Sequence, residues 1–433
     1  MLNWDSYYNI LENKSFIEYK GKVKKVVGLS IESSGPEVNV GDLCKIKTTK
    51  GFINSEVVGF NENNLVLMPL DDMAGIGTGN TVISTKEVVR VPVGDDLLGR
   101  ILDGLGNPID GGYQISSKKY YPVHNDSPPP MDRADIEDVL PLGIKSIDGL
   151  LTVGKGQRIG IFAGSGVGKS TLIGMIARNT KAEVNVVALI GERGREIKDF
   201  IKKDLGEEGL KNSVIIAATS DQPALLRLKA AFTATAIAEY FRDQGKDVLF
   251  MMDSLTRFAM AQREIGLAVG EPPVTRGYTP SVFGIMPKLL ERSGNTKKGS
   301  ITGIYTVLVD GDDMNEPITD AARGILDGHI LLSRSLANKG HYPAIDVLGS
   351  ISRVMNDIIN KEHMKSAVKF RETLATYRES ENLINIGAYV KGSNEKIDYS
   401  IKCIDNINNF LTQEVEESYS FKNTLDKLRK VLI

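Results

Sequence analysis

The chain has 433 residues, of which 41% are hydrophobic and 25% are charged, a composition typical of folded globular proteins. That length exceeds what one ordinary core accommodates, so we expect two or three domains. Lys and Arg total 53, Asp and Glu total 55, and the formal charge is −2. Proteins that coat nucleic acid usually carry a basic excess, so this balance argues against that role and leaves only a local basic patch open.

Neither the cysteines nor the apolar segments indicate an extracellular or membrane protein. Cys44 and Cys403 lie far apart and match no metal-ligand spacing, so we expect free thiols in a reducing compartment. The first residues lack the positive charge and apolar run of a secretory signal. The run from 159 to 177 is interrupted by glycines and by Lys169, which excludes a membrane span. We therefore expect a cytoplasmic protein.

The N-terminal part of the chain predicts an arm followed by a small β-domain. Residues 1–20 form the arm, with apolar side chains at roughly helical spacing, namely Leu2, Trp4, Tyr7, Tyr8 and Leu11. From 21 to 92 the sequence changes to short β-rich runs separated by turn signals such as Ser34-Gly-Pro and Gly75-Ile-Gly-Thr-Gly. Several short strands at this spacing predict a β-barrel domain.

Residues 93–354 predict an α/β domain in which apolar strands alternate with helices. Strands without polar alternation are typical of a parallel sheet covered on both faces. The clearest helix is 223–244, with Ser220 or Asp221 as its cap. The predicted strands are Arg158–Ala163, Asn185–Ile190, Val214–Ala218, Val248–Met252, Ile301–Val309 and His329–Leu332.

Residues 355–433 predict a C-terminal helical domain without further strands. Two apolar stripes at helical spacing are expected to serve helix packing. They are Met364, Ala367, Phe370 and Leu374, and Ile404, Ile407 and Leu411. The fold class is therefore α/β, with a P-loop nucleotide-binding core, an N-terminal small β-barrel and a C-terminal helical domain.

A phosphate-binding loop follows the first strand of the core. The segment Ala163-Gly-Ser-Gly-Val-Gly-Lys-Ser-Thr stands between a predicted strand and a predicted helix, as a P-loop requires, with Ala163 in place of the first glycine. Backbone N–H groups of the loop and the helix N-terminus would bind phosphate oxygens. Lys169 would contact the β- and γ-phosphates, Ser170 would bind Mg²⁺, and Thr171 would lie near the α-phosphate. The predicted nucleotide-binding positions are Gly164, Ser165, Gly166, Val167, Gly168, Lys169, Ser170 and Thr171.

A dinucleotide-binding motif is the alternative for this glycine-rich turn, and its spacing does not fit. Gly164 and Gly166 would require a glycine at position 169, which is Lys169.

Two acidic residues end predicted strands at the edge where such sheets bind ligands. Asp253 closes Val248-Leu-Phe-Met-Met-Asp and would help to hold Mg²⁺ through water. Glu192 follows the strand that ends at Ile190 and would orient the attacking water, with Arg193 beside it to stabilise charge. A solvated charged turn is the other interpretation of the Glu192 segment.

Three further segments complete a family resemblance. They begin at Asp253-Ser-Leu-Thr-Arg-Phe, Gly270-Glu-Pro-Pro-Val-Thr-Arg and His341-Tyr-Pro-Ala-Ile-Asp. With the phosphate loop they resemble the rotary-ATPase α/β superfamily, the hexameric relatives of F-type ATP synthase, which implies a RecA-like core. Within it, the chain most closely resembles the flagellum-specific ATPases of the type III export apparatus, over about residue 22 to the end. ATP hydrolysis with Mg²⁺, in a hexameric ring that energises or primes flagellar export, is what this resemblance implies.

The resemblance assigns roles to individual positions. Glu192 matches the catalytic carboxylate of hydrolysing subunits, which non-catalytic subunits lack. Tyr342 matches the aromatic residue that stacks on adenine. Arg353 matches the arginine that reaches into a neighbouring subunit's site, which implies a homohexamer. The acidic helical segment by which synthase β-subunits engage their rotor is not evident in residues 355–433, which favours an export ATPase.

The same resemblance implies partners. They are a regulatory stator-like export protein at the N-terminal arm, a stalk protein in the ring centre, export chaperone–substrate complexes and a membrane export gate, at whose cytoplasmic face the ring would lie. Nucleic acid is not expected.

Three other functions stay open at this point. The ATPase of a virulence injectisome would share every catalytic residue. A Rho-like nucleic-acid translocase should display aromatic and basic residues on its barrel, where Phe52 and Phe60 are among the few aromatics. A non-catalytic regulatory subunit would lack Glu192.

Overall fold

The computed structural model describes residues 19–309, 311 and 313–432. Most of the predicted N-terminal arm, including its apolar residues at positions 2–11, lies outside these ranges. The described chain folds as two compact units. The first unit contains the residues up to Arg90 with Pro223–Leu226 and Ala261–Pro280, and the second contains the remainder.

Six antiparallel strands of the first unit close into the predicted barrel, in the order β1-β2-β5-β4-β3-β6. Alternation places Cys44 and Ile46 of β3 in the barrel core, whereas Lys45 and Lys47 face solvent. The strands are β1 Lys20–Val27, β2 Ser30–Ser33, β3 Asp42–Thr48, β4 Gly51–Asn61, β5 Asn64–Pro69 and β6 Thr81–Val88.

The second unit is built around a largely parallel sheet, in the order β17-β16-β10-β15-β13-β11-β12-β8. β17 is antiparallel to β16, β14 pairs antiparallel with β15, and β7 and β9 form a separate ribbon. The strands are β7 Arg90–Val93, β8 Ile101–Leu102, β9 Lys119–Pro122, β10 Arg158–Ala163, β11 Val184–Glu192, β12 Ser213–Thr219, β13 Asp247–Asp253, β14 Gly294–Asn295, β15 Ser300–Leu308, β16 Gly328–Leu332 and β17 Ile345–Ser352.

Helices follow most of the core strands and then form the C-terminal part. A π-helical turn, Phe200–Leu205, lies between α3 and α4. The helices are α1 Lys145–Leu150, α2 Lys169–Asn179, α3 Gly194–Asp199, α4 Gly206–Lys211, α5 Ala224–Asp243, α6 Leu255–Ala268, α7 Pro280–Leu290, α8 Pro317–Ile325, α9 Arg334–Asn338, α10 Met355–Ile358, α11 Lys361–Asn385, α12 Glu395–Leu411 and α13 Phe421–Lys430.

The predicted fold class is confirmed, with a barrel, a central parallel sheet and C-terminal helices. Each of the six predicted core strands is present, and helix α5 begins and ends within one residue of its predicted bounds. The apolar stripes of α11 and α12 pack into the core of the second unit through Phe370, Leu374 and Ile407. Both cysteines are buried and free, as predicted.

Several elements of the second unit were not predicted, among them β8, the antiparallel edge strand β17 and the wholly buried helix α1. Strand β17 lies in the chain between Tyr342 and Arg353, two of the residues to which the resemblance assigns roles.

Candidate functional site

The phosphate loop joins the carboxyl end of β10 to the N-terminus of α2. Gly166 and Gly168 have φ angles of +78° and +90°, which residues with a Cβ rarely adopt. Val167 is 2% exposed and anchors the loop in the core. Helix α2 begins at Lys169, so its unpaired N–H groups and the positive end of its dipole face the loop. This arrangement is suited to bind an anion.

An open cleft of about 490 Å³ lies over this loop. Its walls combine the predicted phosphate loop with residues from the ends of β10, β11 and β15 and from the helices that follow β11 and β13. The lining residues are Ala163, Gly164, Ser165, Gly166, Gly168, Lys169, Ser170, Thr171, Glu192, Arg193, Glu196, Arg257, Leu308 and Val309.

Lys169 connects the loop to the two acidic strand ends. Its Nζ donates to Asp253 Oδ1 and lies 3.9 Å from Glu192 Oε1. Thr306, on the neighbouring strand β15, donates to the same Asp253 oxygen at 2.8 Å and fixes that carboxylate. The parallel pairing of β11 with β13 brings both acids to the same edge of the sheet. The structure therefore places Lys169, Glu192 and Asp253 together at this edge.

Glu192 has an unusual protonation equilibrium. Burial, followed by the negative charge of Asp253, raises its pKa to about 7, while Lys169 and Arg257 oppose the increase. A carboxyl group with a pKa near neutrality is matched to accepting a proton or orienting water at physiological pH.

Arg193 lines the cleft but extends into solvent. Its side chain is 80% exposed and forms an ion pair with Glu196 at 3.3 Å. In the part of the chain that the structure describes, it forms no hydrogen bond or ion pair with Lys169 or Asp253.

Arg257 is a candidate that the sequence interpretation missed. It lies in the first turn of α6, four residues after Asp253, packs against Gly191 and lines the phosphate cleft. Its Nε is buried and has no hydrogen-bond partner among the described residues. A partly exposed guanidinium that lines an anion cleft and has an unused Nε–H donor is suited to bind phosphate oxygen. The sequence feature that indicates Arg257 is its position in the segment Asp253-Ser-Leu-Thr-Arg-Phe, one of the three that carry the family resemblance.

Tyr342 lies on the other side of the loop. A Cβ on Gly168 would stand 3.5 Å from two ring atoms of Tyr342. The ring is 45% exposed, and the Tyr342 carbonyl accepts a hydrogen bond from the N–H of Gln413 at 2.9 Å. One ring edge is thus held against the phosphate loop while the remainder is open to a ligand.

Arg353 is not part of this cleft within one chain. It follows β17, is exposed, and its guanidinium donates a hydrogen bond to the carbonyl of Arg323 at 3.2 Å. It lines a separate groove with Ile351, Met355 and Arg371. A role at the phosphates would therefore require a second subunit.

The residues present fit a magnesium ion that is held mainly by nucleotide phosphates. Ser170 offers a hydroxyl at the cleft, and Asp253 offers a carboxylate that contacts Lys169 of the cleft. Within the described ranges, no group of three or more His, Cys, Asp or Glu side chains could hold a metal ion. Mg²⁺ commonly binds through one or two protein oxygens plus substrate phosphates, without a complete protein cage.

Two family models match the chain. Residues 143–352 match the ATP synthase alpha/beta family, nucleotide-binding domain, and residues 359–430 match the T3SS EscN ATPase C-terminal domain.

Curated relatives cover nearly the whole chain. The flagellum-specific ATP synthase of Bacillus subtilis is 61% identical over 92% of this chain and 91% of its own length. That of Treponema pallidum is 52% identical over 98% and 95%. The type 3 secretion system ATPase of Xanthomonas euvesicatoria is 50% identical over 95% and 93%.

Solved structures agree in fold over the same extent. The assembled ATPase EscN from the type III secretion system of enteropathogenic Escherichia coli has a TM-score of 0.91 at 45% identity, covering 95% of this chain and 100% of that one. The assembled EscN in complex with its central stalk EscO has a TM-score of 0.89. No helix of the described chain is long and apolar enough to cross a membrane.

Proposed function

The chain belongs to the ATP synthase α/β family, in the branch of flagellum-specific and type III secretion ATPases, and is an ATP-hydrolysing enzyme; we propose that six copies form a ring that energises or primes flagellar type III protein export. The observation that carries this function is the approach of Lys169 to both Glu192 and Asp253 above the phosphate loop. P-loop enzymes hydrolyse nucleotides with a lysine on the phosphates, an acidic residue that helps to hold Mg²⁺ and a residue that orients the attacking water.

Glu192 acts as the catalytic carboxylate. It lies 3.9 Å from Lys169, so the same lysine that neutralises the phosphates is within reach of the group that orients the attacking water. Lys169 and the loop N–H groups hold the β- and γ-phosphates, and Arg257 donates its free Nε to phosphate oxygen. Arg193, at the cleft rim, supplies positive charge when ATP is bound.

Ser170 and Asp253 are the residues that would hold Mg²⁺, Asp253 through water. When bound, the ion supplies positive charge to the phosphate oxygens. Because Thr306 and Lys169 already fix the Asp253 carboxylate, its orientation is set before Mg²⁺ binds.

Arg353 completes the site of a neighbouring copy. Its absence from the cleft of its own chain, together with its exposure at the end of β17, supports a role in trans. A closed ring of identical heterologous contacts gives every subunit one Arg353 donor, and a homohexamer has six such sites.

We assign the proposed roles to separate parts of the chain. We assign residues 1–20 to the arm, 21–92 to the barrel, 93–354 to the ATPase domain and 355–433 to the helical domain. The arm binds a stator-like regulatory export protein, and the ring centre holds a stalk, as the EscN–EscO complex holds one in a relative. Chaperone–substrate complexes and the membrane export gate are the remaining partners, at the cytoplasmic face of the membrane.

Replacement of Glu192 by Gln in the native organism tests the proposal. Turnover by the purified protein should fall by at least about 10²-fold, the usual contribution of a positioned acid–base group. Flagellin and hook protein outside the cell should fall with it. Glu207→Gln, an exposed glutamate of α4, is the matched control and should leave both unchanged.

Two outcomes would redirect the function. Lost turnover with normal filaments keeps the enzyme but assigns it to an injectisome, the second candidate, which the 50% identity to a type 3 secretion system ATPase favours. Full turnover in the Glu192→Gln variant contradicts the site itself.

A further inference from the structure

The connection between α12 and α13, residues 412–420, contacts the helix that follows the phosphate loop. Arg178, in the last turn of α2, donates a hydrogen bond to the Val415 carbonyl at 2.8 Å. The next residue, Asn179, donates from its side chain to the Glu417 carbonyl at 3.4 Å. Because the phosphate loop leads into the other end of α2, the loop and the C-terminal connection are attached to the same helix.

Gln413, in this connection, is 6% exposed and uses its side-chain oxygen and both side-chain N–H donors. Its Oε1 accepts a hydrogen bond from the backbone N–H of Lys145 at 2.9 Å, and its Nε2 donates to the carbonyls of Gly143 at 2.9 Å and Glu417 at 3.0 Å. One accepted and two donated bonds match the capacity of an amide and determine which of its two ends is the oxygen. Displacing this amide would leave buried backbone groups without partners, which is unfavourable.

The backbone that this amide binds is itself held in the core. Asp148, a wholly buried residue of α1, accepts hydrogen bonds from the N–H groups of Leu142 and Gly143, both at 2.9 Å. Gly143 has a φ of +74°, and a Cβ at this position would stand 2.5 Å from the Cβ of Asn179. This backbone is therefore fixed against the end of α2 and gives the glutamine side chain a rigid partner.

The backbone N–H of Gln413 holds Tyr342. It donates to the Tyr342 carbonyl at 2.9 Å, and Tyr342 lies in the connection between α9 and β17. The ring of Tyr342 lies against Gly168 of the phosphate loop, where a Cβ on the glycine would stand 3.5 Å from two ring atoms. A shift of Gln413 would therefore move the peptide from which this ring projects.

We propose that Gln413 is a positioning residue for the nucleotide base: its buried side-chain amide fixes the backbone N–H that holds Tyr342 beside the phosphate loop. This inference rests on the proposed role of Tyr342. The amide is already bonded to backbone groups, so Gln413 acts through the tyrosine and does not bind the nucleotide. Its effect is therefore confined to the base, while Lys169 and the loop N–H groups bind the phosphates.

The test compares two ligands of the full-length protein, each with Mg²⁺. ADP carries a base and phosphates, whereas inorganic tripolyphosphate carries phosphates alone. Gln413→Ala should raise the Kd for ADP and the KM for ATP about fivefold, the lower end of the loss expected when base stacking on an aromatic ring is removed. The Kd for tripolyphosphate should stay at the wild-type value. The value of kcat should change less than KM, because lost ground-state binding appears mainly in KM.

A double-mutant cycle with Tyr342→Ala distinguishes an action through the tyrosine from a general loss of stability. In the Tyr342→Ala background, Gln413→Ala should cause no further rise in the Kd for ADP. Gln157→Ala is the matched control, because Gln157 is a wholly buried glutamine whose amide binds the Asp327 carbonyl and the Gly154 N–H just before β10, at the end of that strand opposite to the phosphate loop. It should lower the melting temperature without changing the ratio of the two Kd values.

Gln413→Met keeps the length of the side chain without its amide, and the same results are expected from it if Gln413→Ala does not fold. Three results would overturn the proposal. They are equal losses of affinity for ADP and tripolyphosphate, an unchanged Kd for ADP in a folded variant, and an undiminished effect of Gln413→Ala in the Tyr342→Ala background.

Failure of this inference is distinguishable from failure of the proposed function. If Tyr342→Ala leaves the Kd for ADP unchanged, the proposed base site is wrong and the inference fails with it. If Tyr342→Ala raises that Kd and Gln413→Ala does not, the inference fails alone. Neither binding measurement depends on protein export.

Discussion

The aromatic ring of Tyr342 lies against the backbone of Gly168, the last residue of the phosphate loop. A Cβ on that glycine would stand 3.5 Å from Cδ1 and Cε1 of the tyrosine, and Gly168 itself has a φ of +90°. The position thus requires glycine for conformation and leaves room for the ring beside it. The loop that binds phosphates and the aromatic residue proposed to bind the base are therefore held at a fixed separation.

Tyr342→Ala should raise the KM for ATP about tenfold or more, because stacking of a base on an aromatic ring contributes roughly 1–3 kcal/mol. Tyr342→Phe keeps the ring and should retain the wild-type KM. Steady-state turnover over a range of ATP concentrations measures both. An unchanged KM in the alanine variant would mean that the base binds elsewhere.

Arg353→Ala should lower turnover about 10³-fold or more if this arginine completes a neighbouring site. Mixing it with inactive Glu192→Gln subunits should restore part of the activity. Mixed rings contain interfaces where an intact Glu192 from one variant meets an intact Arg353 from the other. Turnover is measured across mixing ratios and on dilution of the wild type. No recovery on mixing, together with a specific activity that stays constant on dilution, would place Arg353 outside the reaction.

The core strands could be predicted from the sequence because burial in a parallel sheet restricts their residues to apolar types. Apolar strands such as β11 and β13 are covered on both faces, so their composition alone predicted them. Asp253 and Glu192 were then predicted at one edge, because parallel strands share a direction. Their contact with Lys169 depends in addition on the strand order, which the sequence did not predict.

Other features depend on contacts between residues that are distant in the sequence, and the spacing of residue types along the chain does not predict these contacts. Helix α1 has six residues, including Lys145, Asp148 and Gly149, and no local pattern marks it, yet all six are buried. Arg257 enters the cleft because Gly191, distant in sequence, leaves space for its side chain. Asp204 meets α2 through a π-helical turn for which no sequence signal was available.

The raised pKa of Glu192 predicts an acid limb in the activity profile. Glu192 must be ionised to accept a proton, and burial together with Asp253 raises its pKa to about 7 in the free enzyme. The value of kcat/KM reports groups of the free enzyme, so it should fall as the pH drops below about 7, by about tenfold per pH unit. The measurement is kcat/KM for MgATP between pH 5.5 and 8.5, and a flat profile over that range would contradict the assignment.

The four histidines predict a loss of stability in mild acid, because burial lowers the pKa of each one. The pKa of His363 is lowered by burial and by Arg429, although its hydrogen bond to the carbonyl of Gly149, at 2.8 Å, opposes the shift. The pKa of His329 is also lowered, first by burial. Below the unfolded-state pKa of about 6.5, the unfolded chain binds protons that the folded chain binds less readily. The free energy of unfolding should therefore fall as the pH decreases below about 6.5.

His363→Gln can keep a donor for the Gly149 carbonyl while removing the titration. The slope of the unfolding free energy between pH 6.5 and 5 should decrease in this variant, by at most about 1.4 kcal/mol per pH unit. His329→Gln is the matched comparison: its ring nitrogen lies 3.1 Å from the carbonyl of Gly349, but the residue is less buried, so its effect should be smaller. Urea unfolding at each pH gives the slopes. An equal slope in wild type and His363→Gln would show that this histidine titrates alike in the folded and unfolded chain.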